Sequence, residues 1–177
     1  LYVSTIEPRK NVETIIAGFN SFMDDRKDRT QPYYMVLAGG LGWKYEGVLK
    51  QIENSSYKDY IIMTGFISQK EKQCLFEGAL GFVYPSLYEG FGIPLLEAMN
   101  YGLPIITTNV SSLPEVGQDA VMYIKEPKDA KGLAALLTKC SKLSDEEKKV
   151  IADNDKKQRD KFSWEKCARE TVRYLTE

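Results

Sequence analysis

Tyr84-Pro-Ser-Leu-Tyr-Glu-Gly-Phe-Gly-Ile-Pro-Leu-Leu-Glu-Ala-Met99 decides how the rest of the chain is read. The apolar run that leads into it, residues 81–84, has the composition of a buried strand. Pro85, Gly90 and Gly92 then mark a loop, and Pro94 opens a helix. A proline at the first helical position gives up only an N–H that has no partner in the helix. A strand, a glycine loop and a helix start aim free backbone N–H groups at one point, which suits a phosphate. Two carboxylates flank that point: Glu89 before the glycines and Glu97 one turn into the helix.

Outward from this stretch, strand and helix patterns alternate. Residues 1–5, 34–38 and 60–64 read as strands, as do 104–107 and 121–124 downstream. Between them, Val12, Ile15, Ile16, Phe19 and Phe22 follow the helical spacing, and Val48, Leu49 and Ile52 mark a helix over residues 45–54. Ser68 with Glu71, and Ser144 with Glu147, have capping-box spacing. Gly102 is placed to stop the helix that Pro94 opens. From Asp129 the chain turns helical, with Leu133, Leu136 and Leu137 on one segment. A charged, solvent-facing helix follows, and Phe162, Trp164, Ala168, Val172 and Leu175 line a last one. The expected fold is α/β: one doubly wound, Rossmann-like parallel sheet of about six strands with helices on both faces, spanning residues 1–177. Ligands of such sheets bind beyond the carboxyl ends of the strands. Residues 5–10, 39–43, 65–68 and 86–93 should therefore share one rim.

The totals narrow the chemistry. At 177 residues the chain suits one domain, and a domain of this size buries roughly 70% of its unfolded surface. A net charge of -1 argues against a nucleic-acid partner held by bulk electrostatics. No apolar run approaches the roughly 20 residues of a membrane span. Cys74, Cys140 and Cys167 are odd in number and far apart, as expected for reduced thiols in a cytoplasmic setting. The absence of histidine removes Ser-His-Asp, Cys-His and HExxH chemistry from this chain. Opening at Leu1, directly in a strand-like run, the chain is expected to be part of a longer protein.

Three motifs carry alternatives. Arg9 and Lys10 follow a strand and precede a helix; they are either a solvated turn or the counter-charge for a diphosphate on the same rim. Gly39-Gly-Leu-Gly42 invites a dinucleotide-binding, oxidoreductase reading, but Tyr45 replaces the third glycine and no acidic residue ends the next strand. The other reading is a tight turn that lets the backbone approach a neighbour. Glu89 and Glu97 could be a glycosidase-like acid and base, ordinary surface carboxylates, or acceptors of sugar hydroxyls.

Glu89-Gly-Phe-Gly-Ile-Pro-Leu-Leu-Glu97 resembles the E-x7-E motif of retaining glycosyltransferases of the family 4 type, the group 1 glycosyl transferases. Pro85-Ser86, Gly102-Leu-Pro104, Leu113-Pro-Glu-Val116, Leu1-Tyr-Val-Ser-Thr-Ile-Glu-Pro-Arg-Lys-Asn11 and Phe162-Ser-Trp164 extend the likeness over essentially the whole chain. The resemblance implies the C-terminal, donor-binding half of a GT-B enzyme, whose N-terminal acceptor domain lies outside this chain. It implies that Arg9 and Lys10 contact a diphosphate, that Glu97 binds ribose, and that Glu89 binds the transferred sugar. It places the N–H groups of Phe91, Gly92 and Ile93 on sugar and phosphates and the backbone near Ile67 on the base. Thr5, Gly40 and Leu95 complete the expected donor site. No cofactor and no metal are expected. The implied partners are a nucleotide-sugar donor, GDP-mannose by preference, and a glycan or lipid-linked acceptor, in a cytoplasmic protein whose full-length form could sit peripherally on a membrane. One departure stands out: the family often has Gly-Arg where this chain has Ser4-Thr5, which predicts one fewer cation on the diphosphate. A non-catalytic nucleotide-sugar-binding domain of the same fold is the alternative.

Overall fold

The computed structural model describes residues 1–176. Six strands run β1 (Tyr2–Val3), β2 (Met35–Ala38), β3 (Ile61–Gly65), β4 (Phe82–Tyr84), β5 (Ile105–Thr108) and β6 (Met122–Ile124). They pair in parallel as β1-β2-β3 and β4-β5-β6. The two halves meet edge to edge. Leu1 N donates to Gly81 O at 2.9 Å and Val83 N donates to Leu1 O at 2.8 Å, the hydrogen-bond pattern of a parallel pair. β1 and β4 are thus neighbours, and the spatial order reads β3-β2-β1-β4-β5-β6. This is the doubly wound order, and its topological switch lies between β1 and β4. The expected sheet therefore forms as two three-stranded halves joined at this seam.

Among the described residues there are eight α-helices: α1 (Val12–Asp24), α2 (Glu46–Glu53), α3 (Gln69–Glu77), α4 (Ile93–Met99), α5 (Leu113–Gly117), α6 (Ala130–Cys140), α7 (Asp145–Arg159) and α8 (Trp164–Thr176). α1 packs on α6, where Gly18 leaves room for the Leu133 side chain, and also on α2. α4 packs on α5 and α7. The strands are short apolar runs because both faces are covered: Leu37, Phe82, Tyr84, Ile105 and Ile106 are buried, with Ile15, Ile16 and Leu95 closing over them.

Most boundaries move by only a residue or two from the sequence reading. Pro94 sits second in α4, not first. Both capping boxes form as spaced, at Ser68 with Glu71 and at Ser144 with Glu147. Three differences stand out. α5 is an extra five-residue helix, too short to leave a periodic signal. α7 is not uniformly solvent-facing, since Asp155 and Gln158 are buried against neighbouring elements. α8 carries an apolar stripe but none of its residues is buried among the described residues.

Candidate donor-binding site at the sheet switch

The rim beyond β1 and β4 is built from two tight chain reversals. After β1, residues Pro8–Lys10 form a 3-10 turn that ends at Asn11, whose backbone is left-handed at φ 58°. That reversal turns Lys10 inward and leaves Arg9 on the rim; the Lys10 side chain is only 7% exposed. Asn11 clasps the neighbouring loops, its amide donating to Pro85 O at 3.0 Å and to Pro127 O at 2.6 Å. Leu87 N in turn donates to Arg9 O at 2.8 Å, so the loop after β4 is laced to the turn after β1.

Glu89 is held by that lacing. Its carboxylate takes Lys10 Nζ on Oε1 at 2.6 Å and Arg9 Nη1 on Oε2 at 3.0 Å. The Tyr84 hydroxyl donates to Glu89 Oε1 at 2.8 Å and accepts from Lys10 Nζ. Burial pushes the Glu89 carboxyl up, but Lys10, followed by the Ser86 and Tyr84 hydroxyls, more than offsets it, holding the carboxyl below the ordinary carboxylate range. Burial, followed by the Glu89 charge, drives the Tyr84 hydroxyl well above the usual phenol range, so it stays a neutral donor. Two serines that sequence reasoning missed, Ser111 and Ser112, anchor the Glu89 backbone. Glu89 N donates to Ser111 Oγ and Ser112 Oγ donates to Glu89 O, both at 2.9 Å. They lie on the β5–α5 connection, and no motif in the sequence marks them.

The two cations do not stand free for a ligand. Arg9 donates through Nε and Nη2 to Glu7 Oε1 and through Nη1 to Tyr88 O. Glu7 and Glu89 balance Arg9 and Lys10, so the cluster is neutral in side-chain charge. Counting donors, Arg9 keeps one N–H on Nη2 and Lys10 keeps one on Nζ without a partner among the described residues. Those N–H groups are what the cluster can offer an anion while Glu89 stays fixed.

The other expected residues are distributed as follows. Glu97 lies on α4 and pairs with Lys72 Nζ at 2.7 Å. Phe91 and Ile93 are exposed, and the Phe91 ring stands edge-on to Phe162 with centroids 5.7 Å apart. Gly92 adopts φ 110° as the residue before α4. Thr5 is exposed and Gly40 and Ile67 are half-buried on the same rim. Leu95 must be corrected: its side chain is fully buried in the core and its N–H donates to Gly92 O, leaving neither for a ligand. The Gly39-Gly-Leu-Gly42 turn also resolves. A Cβ on Gly39 would lie 2.0 Å from Ser4 O, so the glycine serves the close approach of β1 and β2.

An apolar cavity lined by Leu1, Phe22, Tyr34, Met35, Leu75 and Cys140 lies at the opposite, N-terminal strand ends, and no charged side chain lines it. The converging charges are on the rim. All three cysteines are unpaired. Among the described residues, no group of acidic, cysteine or histidine side chains comes together that could hold a metal, and no helix is long and apolar enough to cross a membrane.

Comparison with known proteins joins this geometry to a family. The Glycosyl transferases group 1 family matches residues 1–158. The chain belongs to that family. It is 33% identical over 172 residues to the O-antigen chain mannosyltransferase B of Escherichia coli, which covers 97% of this chain and 44% of that protein. It is also 33% identical over 180 residues to the serotype-specific mannosyltransferase WbdA of Escherichia coli, covering 99% of this chain and 21% of WbdA. The chain thus spans less than half the length of these relatives. Among solved structures, sucrose-phosphate synthase from Thermosynechococcus elongatus superposes with a TM-score of 0.82 at 22% identity, over 99% of this chain and 44% of that one. Anabaena Alr3699/HepE, solved in complex with UDP and glucose, gives a TM-score of 0.82 at 16% identity, over 99% of this chain and 47% of that one. The group 1 glycosyl transferase chain therefore has the Rossmann-like fold of its GT-B neighbours.

Proposed function

We propose that this domain binds the donor of a retaining hexosyltransferase, and that the complete protein transfers a hexose from a nucleoside diphosphate sugar to a glycan or lipid-linked acceptor. The observation that carries the reading is the Lys10–Glu89–Arg9 cluster at the β1/β4 switch point. GDP-mannose is the preferred donor, because the two mannosyltransferase relatives match over nearly all of this chain.

In this reading the nucleotide lies across the strand ends. The backbone near Ile67 meets the base, Glu97 takes the ribose hydroxyls, and Glu89 takes hydroxyls of the hexose. Phe91, Gly92, Ile93, Thr5 and Gly40 line the path between them. As the glycosyl bond breaks, negative charge builds on the departing diphosphate. The uncommitted N–H groups of Arg9 and Lys10 interact with that charge more strongly than with the intact donor, which is the difference that accelerates the step. No metal is assigned a role. Lys10 and Tyr84 hold Glu89 Oε1 and Arg9 holds Oε2, which keeps one acceptor position for a sugar hydroxyl; Glu89 orients the sugar and is not assigned as a covalent nucleophile. Acceptor binding and any acceptor base belong to the remainder of the protein, in a cytoplasmic setting that a membrane-bound acceptor would draw to the membrane face. This domain alone binds nucleotide and turns over little.

Calorimetric titration with GDP, UDP and dTDP, and with their hexose conjugates, tests the reading. Binding of at least one diphosphate, tighter than its nucleoside, is expected. Absence of binding to all of them overturns the proposal.

A further inference from the structure

Glu97 is not alone on α4. Lys72 reaches it from the first turn of α3, with Nζ 2.7 Å from Oε1. The capping box fixes that reach. Ser68 accepts the Glu71 N–H, the Glu71 carboxylate accepts the Ser68 N–H, and Lys72 N donates to Ser68 O at 2.9 Å. α3 therefore starts in a set orientation directly after the β3 end, where the base is proposed to lie. The ion pair spans from that strand end to α4, and both side chains are partly shielded, at 21% and 34% exposure. Oε2 of Glu97 makes no hydrogen bond among the described residues.

A glutamate on a helix surface samples several rotamers, and fixing it costs side-chain entropy. The Lys72–Glu97 ion pair meets part of that cost before a ligand arrives. It also occupies one carboxylate oxygen and leaves the other directed by the pair. We propose that Lys72 is a positioning residue for ribose recognition. By holding Glu97 through Oε1 it presents Oε2 to a vicinal diol, and so sets a preference for ribonucleotides over nucleotides that lack the 2′- and 3′-hydroxyls. The inference rests on the reading of Glu97 as the ribose ligand. A lysine that only added positive charge would act on the phosphates, and would help ribo- and dideoxynucleotides alike.

That difference is the test. The protein is titrated with GDP and UDP, each beside its 2′,3′-dideoxy form, as wild type, Lys72→Met and Lys72→Arg. Wild type is expected to prefer the ribonucleotide. Lys72→Met, which keeps the stem and removes the charge, is expected to weaken the ribonucleotide about tenfold and the dideoxynucleotide less than about twofold, the scale of one charged hydrogen bond. Lys72→Arg still donates to a carboxylate and is expected to keep most of the preference; an arginine variant as impaired as the methionine one counts against positioning. Equal losses on both nucleotides, or no loss on either, overturn the inference and leave the donor-domain reading standing. Wild-type protein that binds neither ribonucleotide overturns the inference, and the donor-domain reading falls with it where dTDP also fails to bind.

Discussion

Lys10 and Glu89 are 79 positions apart in sequence, yet Nζ of the first lies 2.6 Å from Oε1 of the second. The pair joins the end of β1 to the loop after β4, across the seam between the two halves of the sheet. It therefore has a structural and a ligand-binding consequence, and these can be separated. Lys10→Ala leaves a largely buried carboxylate with Arg9 and Tyr84 only, and should cost about 2–3 kcal/mol in urea unfolding. The same change should weaken a nucleoside diphosphate at least about tenfold and the nucleoside little. Lys10→Met with Glu89→Gln should recover part of the stability and none of the diphosphate affinity. Full recovery of affinity in that double variant would remove Lys10 from the donor site.

Asn11 makes a second, sharper prediction. Its amide donates to two carbonyl oxygens, Pro85 O and Pro127 O, and its Oδ1 accepts from Thr14 Oγ1 at 2.7 Å. Asn11→Asp keeps the shape and the left-handed backbone but turns a double donor into an acceptor facing two acceptors. A loss of about 2–4 kcal/mol is expected at neutral pH, partly relieved in acid where the new carboxyl can carry a proton. Urea midpoints at pH 4 and pH 7 check it. No loss at either pH would show that the left-handed backbone, not the amide, is what position 11 supplies.

These contacts mark where the sequence stopped being legible. Strands and helices could be read because their apolar periods are local, and the shared rim followed from the parallel topology. Arg9, Lys10 and Glu89 were nameable as neighbours on that rim. That Glu89 takes up both cations was not, because ion pairs across about 80 positions have no local trace. Lys72 was one charge among several in Gln69-Lys-Glu-Lys72, and only the placement of α3 beside α4 distinguishes it. Leu95 failed in the opposite sense: it lies inside the motif, but the turn of α4 points it into the core.

Gly39 separates two uses of a glycine-rich turn. With φ at 145° and a Cβ position 2.0 Å from Ser4 O, Gly39→Ala has no relaxed conformation available. It should cost about 3 kcal/mol or more and lower the thermal midpoint accordingly. Gly40, where a Cβ meets nothing within 4 Å, should accept alanine with a change within about 0.5 kcal/mol. Similar losses at both positions would mean that the turn is strained as a whole and not pinned at the approach of β1 and β2.

Asp155 supplies a pH dependence whose sign can be worked out. It lies on α7 with no solvent exposure, and neither carboxylate oxygen has a hydrogen-bond partner among the described residues. α7 packs on α4 and on the short turn Gln118–Ala120, which carries Asp119; Arg159 lies one helical turn further along α7. Burial pushes the Asp155 carboxyl up to about 8, against a smaller downward pull from Arg159. A folded-state value above the unfolded one means that the native chain holds a proton which the unfolded chain has released. The contribution of this group to stability is full below about pH 4, declines as pH rises, and is lost once pH passes about 8. Asp155→Asn removes the ionisation. At pH 8.5 it should be more stable than wild type, on the order of 2–4 kcal/mol after allowing for its own unpaired amide. At pH 4 the two should differ far less. Urea unfolding of both proteins across this range reads the effect directly, and a difference that does not change with pH would mean that Asp155 ionises freely in the folded protein.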